Sequence, residues 1–329
     1  MAEAAVQPGT PIECNEIVMD PQHWKETSTS TMLFPWWGRE VVFLTTRSDV
    51  DREVMARLLA RLDAGWRLYA DLTGRRPAPF KLLDGKPTMI AVPNADFTCG
   101  YGCGYVGATG IEFAGFYGED CTLLRSNPKA MPHYYFYEMG RNFYTFDDRH
   151  SLFITGYAVF MRYVCMDALK CRDPDAGTRR AIEAAEKLFA ESDMSFLQGF
   201  TTVAGLDEKA PRLKDKKGEW LSPSDQPVIY ASAMLKLRRD CGGDAWLKRF
   251  FAQLAACPEV KPENEAAALR QSLSWLISAS CAAKKDLSPV FADRWRMPLT
   301  PQTRQALAAV NWTDPNLAAP QILKALPSP

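Results

Sequence analysis

The sequence predicts an α+β fold: a small mixed sheet with an edge strand and two central helices, followed by an all-helical domain. Three observations carry that expectation. Short β-branched runs bounded by glycine and proline crowd the first third of the chain, the segment 132–146 has two contrasting helical faces, and beyond Asp173 the composition turns to Ala-rich amphipathic stretches. The expected boundaries are an N-terminal extension over 1–38, an α/β subdomain over 39–172, a helical domain over 173–315 and a tail over 316–329. A length of 329 residues suits two cores better than one.

Arg39-Glu-Val-Val-Phe-Leu-Thr-Thr46 is apolar and β-branched, as a strand is. Trp36 and Trp37, just before it, either line a cleft or anchor this strand. Ser48, with Asp51 three residues on, reads as the capping-box start of a long helix. Its apolar positions Val50, Val54, Leu58, Leu62, Trp66, Tyr69 and Leu72 recur at helical spacing, and Gly74 and Pro77 stop it. Pro87 to Pro93 is a second short strand. Between Cys99 and Phe113 five glycines ask for unusual backbone angles or close approach, so this segment reads as a tight loop leading into an edge strand. It lacks the helix and the Lys-Ser/Thr of a phosphate loop. Cys99 and Cys103 read as two neighbouring thiols packed in the loop, with pairing and metal binding as the alternatives. No second close pair completes a structural zinc site.

The segment from Pro132 to Phe146 is the most informative. Phe136, Met139, Phe143 and Phe146 share one helical stripe, which is core, whereas Tyr134, Tyr137, Glu138, Arg141 and Thr145 form a polar one. A second helix, from Ile154 to Lys170, is apolar nearly all round apart from Arg162 and is expected to pack beside the first. Further helices are expected at 176–192, 226–241, 244–256 and 263–283, with a charged, solvated stretch at 209–218.

Thirty-nine basic side chains balance 39 acidic ones, so no global field draws nucleic acid or anionic lipid to the surface. No apolar run reaches membrane-spanning length and the N-terminus has no signal-like apolar core, which points away from a membrane partner. Nine scattered cysteines, with Cys165, Cys257 and Cys281 in core-like surroundings, suggest buried thiols and a cytoplasmic location.

Tyr137-Glu-Met-Gly-Arg-Asn-Phe143 resembles the His-Glu-x-x-His helix of zincin metallopeptidases, in particular gluzincins with a His-Glu-x-Gly-His-Asn version of it. Phe291, Trp295, Pro298 and Leu299 are similar to an ending found in several peptidases of that group, and the layout of the resemblance runs over 40–310. It implies a zincin-like catalytic-type domain without its metal. Histidines at i and i+4 aim two nitrogens at one ion, but here Tyr137 and Arg141 hold those places. A guanidinium offers only donors and repels a dication, and a neutral phenol is a poor ligand. The family's third ligand, a glutamate on the next helix, is expected near Thr155 or Gly156, yet no acidic residue lies between Arg149 and Met166. The whole chain has His23, His133 and His150 as its histidines. No metal and no cofactor is therefore expected.

Glu138 stands where the family keeps its general base. The candidate catalytic residues are Glu138 as acid/base, Tyr137 as proton donor or orienter, and Arg141 as an anion or oxyanion clamp. The alternative is a plain Glu138–Arg141 ion pair in place of the metal. Tyr134, Asn142, His133 and Tyr105 are the candidate substrate-binding residues. The functional expectation is a metal-independent, hydrolase-like enzyme acting on a saccharide, glycopeptide or peptide-like substrate. Its alternative is a catalytically inactive pseudopeptidase that binds a peptide or protein partner in the same cleft.

Overall fold

The computed structural model describes residues 6–13, 16–27, 32–149, 154–201 and 225–327. The fold is α+β, and the chain divides into two compact units. One comprises residues 1–71, 75–145 and 161–176, and the other 72–74, 146–160 and 177–329. His150 and the charged stretch at 209–218 lie outside the described residues.

In chain order the first unit contains β1 (Ile12–Glu13), α1 (Pro21–Glu26), β2 (Met32–Trp37), β3 (Val42–Thr45), α2 (Arg52–Thr73), β4 (Leu82–Leu83) and β5 (Lys86–Ala91). It continues with β6 (Gly102–Gly104), β7 (Ile111–Phe113), α3 (Cys121–Ser126) and α4 (Tyr134–Asn142). The sheet order is β1-β2-β3-β5-β7-β6, with β4 beside β5. β3, β5 and β7 run parallel, and β2 and β6 flank them antiparallel. β6, inside the glycine-rich segment expected as a loop, is thus the edge strand, whereas β7, into which that segment leads, lies between β5 and β6.

Alternation along the strands sorts two buried faces. Val42, Leu44 and Ile90 turn one way, into a cluster with Val18, Trp24, Leu33, Val92 and Phe97. Phe43 and Phe113 stack on the other face with ring centres 6.3 Å apart, and Phe116 lies 5.0 Å from Phe43. The segment expected as an N-terminal extension therefore belongs to the sheet: β2 pairs along β3, and the Trp36 indole donates to Thr45 Oγ1 at 2.8 Å. Pro35 inside β2 hid that strand, because proline removes a ladder donor.

The start of α2 also differs from expectation. Asp51, not Ser48, caps it, accepting from the amides of Glu53 and Val54 at 3.0 and 3.3 Å. Gly74, at φ +64°, ends it as predicted. Midway along the helix, Asp63 accepts from three consecutive amides of the β2–β3 turn: Arg39 at 2.7 Å, Glu40 at 2.8 Å and Val41 at 3.2 Å. A side chain on Gly38 would sit 2.6 Å from the same carboxylate.

α5 (Ile154–Ala168) begins in the second unit and ends in the first. The second unit continues with α6 (Ala176–Glu191), α7 (Phe196–Phe200), α8 (Asp225–Cys241), α9 (Gly243–Ala256), α10 (Glu265–Ala283), α11 (Pro301–Ala308) and α12 (Ala319–Ala325). The helices expected at 176–192, 226–241, 244–256 and 263–283 are all present, within two residues of their expected ends. Phe291 and Trp295 are core anchors: Trp275 lies 4.7 Å from Phe291 and 5.4 Å from Trp295. The Trp295 indole donates to Glu186 at 2.6 Å, and Arg294 pairs with the same carboxylate. The stretch expected as a tail contains α12, held where Ala319 N donates to Gln253 Oε1 at 2.8 Å.

Removing the Asp63 carboxylate leaves three amides without an acceptor beside a buried strand. Asp63→Ala is therefore expected to cost about 3 kcal/mol, read as a lower urea midpoint for the first unit. An unchanged midpoint would mean that the turn holds itself.

Candidate active site

α4 is anchored by its apolar stripe. Phe136, Met139 and Phe143 are fully buried, Trp66 and Tyr69 of α2 lie 4.7 and 5.3 Å from the Phe143 ring, and the Tyr69 hydroxyl donates to the Phe136 carbonyl at 2.6 Å. Gly65 makes this approach possible: a Cβ there would lie 2.8 Å from the Phe136 ring and 3.2 Å from Cys165 Sγ. With that stripe fixed, the next face of α4 is turned onto β6.

Two glycines receive it. A Cβ on Gly102 would meet Glu138 Cγ at 2.9 Å, and one on Gly104 would meet the Glu138 carbonyl oxygen at 2.7 Å. Arg141 Nε donates to the Gly104 carbonyl at 3.1 Å and lies 3.8 Å from Glu138 Oε2. Glu138 is 4% exposed, and its Oε2 is buried without a hydrogen-bond partner. Burial pushes its pKa up to about 7, against the opposing pull of the Arg141 charge and the Gly104 amide. The expected Glu138–Arg141 pair thus exists, but as a loose contact.

Tyr137, one residue earlier, is half-buried, and the Arg162 guanidinium of α5 lies 5.9 Å from its ring centre. The four residues expected to bind substrate are engaged elsewhere. The Tyr134 and Tyr135 hydroxyls both donate to Asp120 Oδ2, the latter at 2.8 Å. Burial raises the pKa of Asp120 and of Tyr134, so the phenol stays a donor. Asn142 is fully buried, and its amide donates to the carbonyls of Tyr105 and Gly110 at 2.9 and 3.2 Å, holding the glycine-rich loop rather than facing a ligand. His133 Nδ1 lies 3.2 Å from Asp173 Oδ1. Tyr105 packs its ring edge-on to Phe80 at 4.9 Å. The structure therefore joins Glu138, Arg141 and Gly104, leaves Tyr137 beside Arg162, and gives Tyr134, Asn142, His133 and Tyr105 to other contacts.

Sequence reading missed two charged groups. Arg162 showed itself as a charge midway along a largely apolar helix but received no role. Glu112, between Ile111 and Phe113 on β7, is 1% exposed. Its Oε1 accepts from Met19 N at 2.7 Å, its Oε2 has no partner, and burial pushes its pKa up to about 7. An acid flanked by strand-forming apolar residues was the available signal.

Cys99 and Cys103 form a disulfide across the entry to β6, in place of the two free thiols expected. Cys165, Cys257 and Cys281 are buried and free. No three His, Cys, Asp or Glu side chains converge as metal ligands among the described residues. Gly156, near which the resemblance leads one to expect a third ligand, is closely packed: a Cβ there would lie 2.8 Å from the Tyr230 ring and 3.0 Å from the Pro227 carbonyl.

No protein-family model and no curated protein matches the sequence. Among solved structures, a functionally unknown conserved protein from Bacillus anthracis str. Ames is similar, with a TM-score of 0.51 and 10% identity over 90% of this chain and 57% of that one. A mutant of a functionally unknown conserved protein from the same source gives a TM-score of 0.51 and 10% identity over 87% and 53%. The chain spans a little over half the length of those proteins, and at that identity the likeness is one of fold. No helix among the described residues is long and apolar enough to cross a membrane.

Glu138 and Glu112 make stability depend on pH in a fixed direction. Each has a folded-state pKa near 7, above the ordinary 4.5, so its contribution is fully present below pH 4.5 and is lost as pH rises through about 7. The full loss is roughly 3 kcal/mol per group. Thermal melts from pH 5 to pH 8 are expected to show a falling midpoint, flattened in part by Glu138→Gln and in part by Glu112→Gln. A flat wild-type profile would remove the assignment.

Proposed function

We propose that this chain is a metal-independent, hydrolase-like enzyme on a zincin-like domain, with Glu138 as its general base. One observation carries the reading. Glu138 keeps a buried, partnerless oxygen and a pKa near 7, an arrangement that destabilises the fold at neutral pH and that a glutamine would avoid. A carboxylate poised near 7 suits proton transfer at that pH. Glu138 accepts a proton from the attacking water, the Tyr137 hydroxyl orients or protonates the leaving group, and the η nitrogens of Arg141 face the developing oxyanion. Saccharide, glycopeptide and peptide-like substrates all suit such a domain, and β6 does not choose among them, because its Gly104 carbonyl already accepts from Arg141.

A second reading rests on a different observation. Arg141 is tied to Gly104, and Glu138 lies against the same residue, which suits an inactive pseudopeptidase that holds a peptide or protein partner without cleaving it.

Peptide, glycopeptide and oligosaccharide panels, read by mass spectrometry, separate the two. The enzyme reading expects product from wild type, a rate that rises with pH through about 7, and loss of turnover by at least a hundredfold in folded Glu138→Gln. Turnover that survives this substitution would remove Glu138 from the mechanism. Binding without product would favour the second reading.

A further inference from the structure

Arg162 is a charge that the fold leaves unanswered. It is 7% exposed, and its Nη2 donates to the Tyr163 hydroxyl at 3.0 Å, but its Nε is buried with no acceptor. The guanidinium lies 4.6 Å from the Tyr163 ring centre and 5.9 Å from that of Tyr137. No carboxylate forms an ion pair with it among the described residues. Two aromatic faces attract a cation, yet they offer no acceptor to an N–H. A buried guanidinium without a counter-charge is strongly unfavourable, so its burial in α5 points to a partner from outside the chain.

We propose that Arg162 is the anion-recognition point of this site and that it binds a carboxylate of the substrate, with the Tyr137 ring beside it. The inference rests on the reading of this face of α4 as a ligand site and names the ligand's chemistry. A guanidinium edge matches a planar carboxylate in two parallel hydrogen bonds. A single cation suits a monoanion better than a phosphate dianion. Tyr137, half-buried and 5.9 Å from the guanidinium at its ring centre, is where a ligand would reach Arg162.

The test is the melting temperature of the full chain in sodium acetate, with sodium chloride at matched ionic strength, acetamide and sodium phosphate as the comparison arms. A ligand that binds only the folded state raises the midpoint. Acetate is expected to raise it by a few degrees over chloride, while acetamide and phosphate fall short of acetate. Arg162→Met is expected to abolish the acetate increment. Arg162→Lys, which keeps the charge but loses the fork, is expected to reduce it severalfold and carries the test if the methionine variant does not fold. Glu138→Gln is expected to keep the increment, so loss of turnover there with an intact acetate response separates this inference from the catalytic role of Glu138. Equal effects of acetate and chloride, an equal effect of acetamide, a larger effect of phosphate, or an increment undiminished in Arg162→Lys would each overturn it.

Discussion

Helix α4 and strand β6 approach so closely at Gly104 that a methyl group there would lie 2.7 Å from a backbone oxygen. Everything polar in the candidate site is arranged around that contact. Arg141 reaches the Gly104 carbonyl, the Glu138 carboxylate lies against Gly102 and Gly104, and Asn142 holds the loop that follows the strand. On this helix Tyr137 lies beside the Arg162 guanidinium, and Arg141, one turn on, is bound to the strand, so α4 is held by its neighbour.

The contact also explains why Glu138 is hard to ionise. Glycines bring the strand close enough to exclude water, and Arg141 stops 3.8 Å short of Oε2. Desolvation then outweighs the nearby positive charge. Glu112 reaches the same condition on the neighbouring strand, where Cys103 is its cross-strand partner. Two carboxylates thus carry a similar electrostatic load, one on α4 against β6 and the other on β7 at Met19.

Much of the architecture could be read from periodicity. The long helix up to Gly74, the two-faced helix around Glu138 and the four Ala-rich helices follow from apolar spacing that local chemistry alone enforces. What escaped were features that depend on tertiary partners. Pro35 concealed β2 because the strand's stability comes from pairing with β3. Ser48 and Asp51 offer similar capping chemistry, and only the packing of α2 decides between them. Within the site, spacing identified Glu138 and Arg141 as neighbours. It assigned Tyr134 and Asn142 to a ligand because residue type does not say whether a hydroxyl will find Asp120 or an amide will find a loop carbonyl. The pairing of Cys99 with Cys103 likewise depends on how the glycine-rich loop turns.

The division of the chain has a consequence for how the molecule comes into being. The first unit is discontinuous: its strands begin at residue 12, yet it includes residues 161–176, while the opening turns of α5 belong to the other unit. During synthesis the sheet must wait for those last residues, with the Phe136 and Gly65 contact surfaces open to solvent until Cys165 arrives. A cut between Phe160 and Met161, where the units meet in the chain, would divide α5 itself, so this protein resists dissection into independent halves.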